Sequence, residues 1–195
     1  MSWNRRQVLR AGSALAGASA VVVLARGAWG RETACAQRGM PVKAASTGGR
    51  IALLNLHTDE RLEIEYSRDG TYMPEALSKI EVLLRDFRTG ERHVIDPSLI
   101  DYLVQVAHTV GADPSFSVIS GYRSPRTNAV LHERSAGVAQ HSLHMQGRAI
   151  DVRMIGADCA NLAVHAEDLK RGGVGYYRAS NFVHLDTGAF RTWKG

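Results

Sequence analysis

Apolar and polar positions alternate from Arg50 to Met73, "RIALLNLHTDERLEIEYSRDGTYM", around turn residues at His57 to Glu60 and at Asp69-Gly70. Alternation with period two reads as half-buried strands, here folded back as a hairpin. The period then changes. Pro74 opens a predicted helix whose Leu77, Ile80, Leu84 and Phe87 share one face, and Asp96-Pro97 supplies a cap and a first helical position for a second helix. In that second helix Leu99, Ile100, Leu103, Val106 and Val110 are expected to face inward. "FSVISGYR" predicts a strand ending at Gly121, "SPRTNAVLHERS" a Ser-capped helix with Pro125 at its start, and Ala149 to Met154 another strand. A helix over Asp158 to Lys170, closed by Gly172-Gly173, and two short strands, "VGYY" and "NFVHLD", complete the pattern. Helices mixed with mostly antiparallel strands predict an α+β fold, a small and mainly antiparallel sheet flanked by helices.

The first 36 residues follow a different rule. Arg5 and Arg6 precede an uncharged run from Ala11 to Ala25 rich in Ala, Gly and Val. A basic start, an apolar stretch of about 15 residues and small residues after it read as an export signal, since a spanning helix needs about 20. The paired arginines followed by Val8 and Leu9 are similar to a twin-arginine signal, with cleavage after either Gly30 or Ala36. An uncleaved signal anchor is the alternative. Gln37 to Arg50 is small and polar, a predicted linker, which leaves 51–195 as one domain of ordinary size.

That division changes the charge. The whole chain carries a formal +5, but residues 1–36 hold five arginines against one glutamate, so about +1 belongs to the rest. No basic footprint for nucleic acid survives, and no membrane-spanning domain is expected after cleavage. Of the two cysteines, Cys35 is expected to go with the leader or with its frayed tail, which leaves Cys159 alone, so no intrachain disulfide is expected.

Candidate chemistry lies near the C-terminus. In "AIDVRM" Ala149, Asp151 and Arg153 face one side, and in "NFVHLD" Phe182, His184 and Asp186 do the same. If both strands turn their aliphatic sides to the core, Asp151 and His184 emerge together, and Gly147 lets the preceding loop bring His144 back over them. Two imidazole nitrogens and one carboxylate with a fourth position open form the ligand set of a catalytic zinc site, where the metal lowers the pKa of a water. The residue types alone leave open a polar scaffold without metal.

The string Ser142-x-His144-x-x-Gly147-x-Ala149-x-Asp151 resembles the "SxHxxGxAxD" signature of the lysostaphin, D-Ala-D-Ala metallopeptidase and sonic hedgehog (LAS) superfamily. "SGYRSPRTN", from Ser120 to Asn128, resembles the segment that supplies its active-site arginine. "GGVGYY" and "NFVHLDTG" are more specifically similar to periplasmic murein endopeptidases of the MepK type, including a twin-arginine leader. The resemblance spans Arg50 to the end. It implies a LAS-type metallopeptidase fold, Zn2+ held by His144, Asp151 and His184, and Arg123 as the stabiliser of a developing oxyanion. It further implies peptidoglycan stem peptides as substrate, periplasmic action and L,D (3-3) cross-links as the bond cut. Relatives that cleave D,D (4-3) cross-links or trim a terminal D-Ala set the alternative.

One departure matters. Many D-Ala-D-Ala peptidases carry an acidic general base three residues before the last zinc histidine, and here Asn181 stands there; an amide cannot take the proton. Asp186, as base or as a partner orienting an imidazole, and His141 are the candidates for the vacant role. The missing acid also admits a wall-binding module that keeps the metal site without turnover. Tyr176 and Tyr177 are expected in the core, with the lining of a groove for a glycan or peptide as the alternative; the Trp193 tail is expected to pack locally, and His57, His93, His108, His132 and His165 are read as surface or helix residues.

Overall fold

A computed structural model describes residues 49–135 and 137–195. The predicted export signal lies outside the described residues, as does the predicted linker up to its last two positions, and Arg50 already belongs to a strand.

The period-two stretch forms β1 (Arg50–Asn55) and β2 (Arg61–Glu65), paired antiparallel, followed by a two-stranded ribbon of β3 (Ser67–Arg68) and β4 (Thr71–Tyr72). Two helices follow, each with Pro in its first turn: α1 (Pro74–Leu83) and α2 (Pro97–Val110). The Asp96 side chain accepts from Ser98 N at 2.9 Å and so caps α2, satisfying one amide that the helix start leaves unpaired. Then come β5 (Ser115–Ser120), α3 (Pro125–Arg134) capped by Ser124, β6 (Ala149–Met154), α4 (Cys159–Leu169) capped by Asp158, β7 (Gly173–Tyr177), β8 (Phe182–Asp186) and β9 (Arg191–Lys194).

The main sheet has seven strands in the order β2-β1-β5-β6-β8-β7-β9. It is larger than the pattern predicted, and it is mixed. β1 runs parallel to β5, and β7 parallel to β9, while the other neighbours are antiparallel. The parallel pair β1/β5 is allowed by a long connection, which runs through β2, the β3/β4 ribbon, α1 and α2.

Ile150 and Val152 of β6 and Val183 and Leu185 of β8 are buried in one core with Leu99, Ile100, Leu103 and Val106 of α2 and Leu162 and Ala166 of α4. Truncating any of the larger of these to alanine costs about 2–5 kcal/mol, so the aliphatic faces of β6 and β8 are held firmly against the helices. Asp151 and His184 are thereby held on the other side of the sheet.

Three local expectations differ from the fold. Phe87 lies beyond the end of α1 and stacks on His57 with ring centroids 3.8 Å apart, because the helix stops at Leu83 with its cap at Leu84. α4 is closed by Lys170 in the left-handed conformation, φ 51°, two residues before Gly172. The tail around Trp193 is a strand, not a locally packed end.

Candidate active site

Asp151 and His184 occupy directly opposed positions of the antiparallel pair β6/β8. Their side chains meet at 2.9 Å, Asp151 Oδ1 to His184 Nδ1. His144 reaches the same point from a short 3-10 helix, Leu143–Gln146, where the Ser142 hydroxyl caps the helix start by accepting from His144 N. Gly147 then reverses the chain in the left-handed region, φ 65°, and passes so close to Val94 that a Cβ would lie 2.0 Å from its carbonyl oxygen. Only glycine fits that return. His144 Nε2 ends 3.3 Å from His184 Nδ1 and 3.3 Å from Asp151 Oδ1.

The outer nitrogens fix the chemistry of the inner ones. His144 Nδ1 lies 2.7 Å from the carbonyl oxygen of Gly121, which only accepts, so Nδ1 carries the hydrogen and Nε2 presents a lone pair. His184 Nε2 lies 3.0 Å from Asp186 Oδ2 and donates to it in the same way. Two lone pairs and a carboxylate oxygen then face one another within 4.8 Å, an arrangement stable only around a proton or a cation. The donor set and the two outer acceptors therefore fit a divalent metal.

Without a cation, charge is balanced by protons. Burial opposes a charge on His184, but hydrogen bonds with Asp151 and Asp186 outweigh it and push its pKa up to about 9. Burial likewise opposes ionisation of Asp151, and the two histidines beside it overcome this and hold its carboxyl well below the usual range. His144 is shifted down, because it is enclosed on all sides and Asp151 only partly offsets the loss of solvent.

Asp186 is fully buried and its oxygens are taken. Besides His184 they accept from Gly173 N at 3.1 Å, Gly188 N at 2.8 Å and both terminal nitrogens of Arg191 at 3.1 and 2.7 Å. Of the two roles read for it in the sequence, this geometry favours orienting the imidazole. Arg123, 11% exposed at its side chain, places a guanidinium nitrogen 3.5 Å from Asp151 Oδ2. Ser120 Oγ and Asn128 Oδ1 accept from it at 3.3 and 3.4 Å, while its buried Nε has no partner among the described residues. Asn128, itself buried, also donates to the carbonyls of Ala139 and Gln140, both at 3.1 Å, and so ties Arg123 to the loop that carries His141.

These side chains line one cleft of about 500 Å³ that includes Arg123, His141, His144, Asp151 and His184. His141 is exposed at the rim of that cleft; Asn181 is exposed, and its carbonyl accepts from Arg153 Nε at 2.6 Å. Tyr177, expected in the core, lines the cleft together with Trp193, whereas Tyr176 packs against the core. His57, His93, His108 and His132 are exposed and His165 is partly buried on α4. Asn128, Arg191 and Trp193 were not singled out for the site by the sequence. For Trp193 a signal existed in Gly175, whose missing side chain is filled by the indole.

In this α+β fold β6, β8, the 3-10 helix and the segment after β5 bring two histidines, an aspartate and a largely buried arginine to one open cleft, a donor set that fits a metal-dependent enzyme. Comparison with known proteins narrows this. The family model described as "Peptidoglycan L,D-endopeptidase MepK" matches residues 43–193. The chain is 44% identical over 146 residues to the Haemophilus influenzae protein named "Probable peptidoglycan L,D-endopeptidase MepK", covering 74% of this chain and 78% of that one. It is 41% identical over 143 residues to "Peptidoglycan L,D-endopeptidase MepK" of Escherichia coli K12, covering 73% and 79%. No solved structure matches. The chain belongs to the MepK family of peptidases.

Proposed function

We propose that the chain is a zinc-dependent murein endopeptidase of the periplasm, exported through its twin-arginine leader, and that it hydrolyses L,D (3-3) peptide cross-links of peptidoglycan. The observation that carries this reading is the convergence of His144 Nε2, Asp151 Oδ1 and His184 Nδ1, with both outer imidazole nitrogens already engaged, in a chain of this family. Among the described residues no helix is long and apolar enough to cross a membrane. The LAS-type arrangement implied by the signature is consistent with how the 3-10 helix and β6 present the site.

His144, Asp151 and His184 would hold the metal. When bound, it supplies Lewis-acid polarisation of the scissile carbonyl and lowers the pKa of the attacking water. Everything else is done by the chain. The Gly121 carbonyl and Asp186 keep the two imidazoles in the tautomers that leave the inner lone pairs free. Arg123 stands beside Asp151 with a guanidinium largely out of water, where a hydrogen bond to developing negative charge is worth more than in solvent. Ser120 and Asn128 hold it through neutral acceptors, and Asp151 is the carboxylate beside it. With Asp186 saturated by its donors, proton transfer falls to His141 at the exposed side of the cleft.

Purified muropeptide dimers joined by 3-3 or 4-3 cross-links provide the test. Release of monomers from 3-3 dimers, lost in His184→Ala, is the expected result. Cleavage of 4-3 dimers or removal of terminal D-Ala in its place would shift the reading to a D,D-endopeptidase or carboxypeptidase. Asn181 motivates one competing reading, a metal-containing wall-binding module; tight wall binding by a wild type that cleaves neither dimer would favour it.

A further inference from the structure

On β7, Gly175 pairs with His184 and Tyr177 pairs with Phe182, so Gly175 and Tyr177 lie on the side of the sheet that bears the triad. On the other flank of β7, Trp193 of β9 pairs with Gly175. A Cβ at Gly175 would lie 2.4 Å from the indole, which therefore occupies the place of the missing side chain. The indole comes within 5.2 Å of the His184 ring, centroid to centroid, and the Arg191 guanidinium covers it at 5.1 Å. Its Nε1 lies 3.0 Å from the Tyr177 hydroxyl. The Tyr177 ring is fixed as well, stacked on Phe182 with centroids 4.5 Å apart and planes 12° from parallel.

The direction of that hydrogen bond decides what Tyr177 can do. An indole N–H only donates, so the phenol oxygen is the acceptor and its own hydrogen remains to be donated. Among the described residues it meets no acceptor, and the side chain lines the cleft that holds the triad. Tyr177 and Arg123 line the same cleft. Half-buried at the open cleft, the hydroxyl is left to donate to solvent or to a bound ligand; a phenylalanine would stack on Phe182 equally well but would offer no donor.

We propose that Tyr177 is a catalytic residue, its hydroxyl donating a hydrogen bond to the scissile amide as the carbonyl becomes tetrahedral, and that Trp193 is the positioning residue that aims it. The inference rests on the endopeptidase reading and names a further group in that site. As the water oxygen bonds to the carbonyl carbon, the C=O π pair moves onto the carbonyl oxygen. Tyr177 stabilises that charge together with Arg123 and keeps its own proton throughout. The C–N bond then breaks, the electron pair returns to the C–O bond, and the leaving amine takes the proton given up by the water.

The experiment compares wild type, Tyr177→Phe and Trp193→Phe, each loaded with zinc, on 3-3 cross-linked muropeptide dimers and on a phosphinate isostere of the cross-link, whose tetrahedral oxygens mimic the transition state. Tyr177→Phe keeps the stack with Phe182 and removes one hydroxyl, so zinc content and KM are expected to stay within about twofold while kcat falls about a hundredfold. Phosphinate affinity is expected to fall by a similar factor, since only interactions stronger in the transition state raise kcat. Trp193→Phe is expected to give a smaller loss in both. A Tyr177→Phe variant with kcat and phosphinate affinity unchanged would overturn the proposal, as would losses that fall entirely on KM. A wild type that cleaves no cross-link would sink the endopeptidase reading, and the phosphinate affinities, which need no turnover, would still decide the role of the hydroxyl.

Discussion

Asp86 holds the start of α3, and the consequences are measurable. It lies in the loop after α1, is 1% exposed, and accepts from Ser124 N at 2.9 Å, Ser124 Oγ at 2.7 Å and Arg88 N at 3.0 Å. Burial works against its charge, but hydrogen bonds from Thr127, Ser124 and Arg88 outweigh it and lower its pKa from 3.8 to about 2. A shift of this size corresponds to about 2 kcal/mol of folding stability. The folded value lies below the unfolded one. The contribution is therefore complete above about pH 4 and is lost as pH falls through about 2, with about half remaining at pH 3. Asp86→Asn removes the charge and turns an amide donor toward donors. The expected effect in urea denaturation at pH 7 is a loss of about 2 kcal/mol. Repeating the comparison at pH 3 is expected to halve the gap between wild type and variant. Because Ser124 follows Arg123 directly, the variant is also expected to lose activity before it loses its fold. A gap below about 0.5 kcal/mol at pH 7, or one that does not change with pH, would refute the reasoning.

Two further outcomes concern the metal site. Gly147→Ala forces a side chain into Val94 O at a positive φ, and is expected to cost about 2 kcal/mol or more and to lower the melting temperature, read by thermal denaturation; an unchanged melting temperature would contradict the close approach. Asp186→Asn leaves His184 free to turn and strands Arg191, so zinc affinity measured by competition with a chromophoric chelator is expected to weaken about 10- to 100-fold while His144 and Asp151 still bind.

How much of this was legible in the chain depends on how local each feature is. The faces of β6 and β8 follow from period two, so Asp151 and His184 could be placed side by side before any coordinates, and Gly147 announced the return that brings His144 to them. The caps at Asp96, Ser124 and Asp158 were equally readable, since each is a short-range bond. Long-range features were not. β9 has four residues and no alternation to mark it; it exists because Trp193 finds the gap at Gly175. The parallel pairing of β1 with β5 depends on the path through α1 and α2. Asp186 looked available as a base because its donors come from β7, from the turn after β8 and from Arg191, none of which a strand pattern brings together. Asn128 is one residue in a helical pattern, and its link to both Arg123 and the His141 loop appears only in three dimensions.

The central claim is that three side chains from the 3-10 helix, β6 and β8 form one metal site on which hydrolysis depends. Metal content of the folded protein, compared with His144→Ala and Asp151→Ala after confirming that both fold, tests it most directly. The expected result is about one zinc per chain in the wild type and none held in either variant. A folded wild type that takes up no divalent metal, or variants that keep it, would contradict the account.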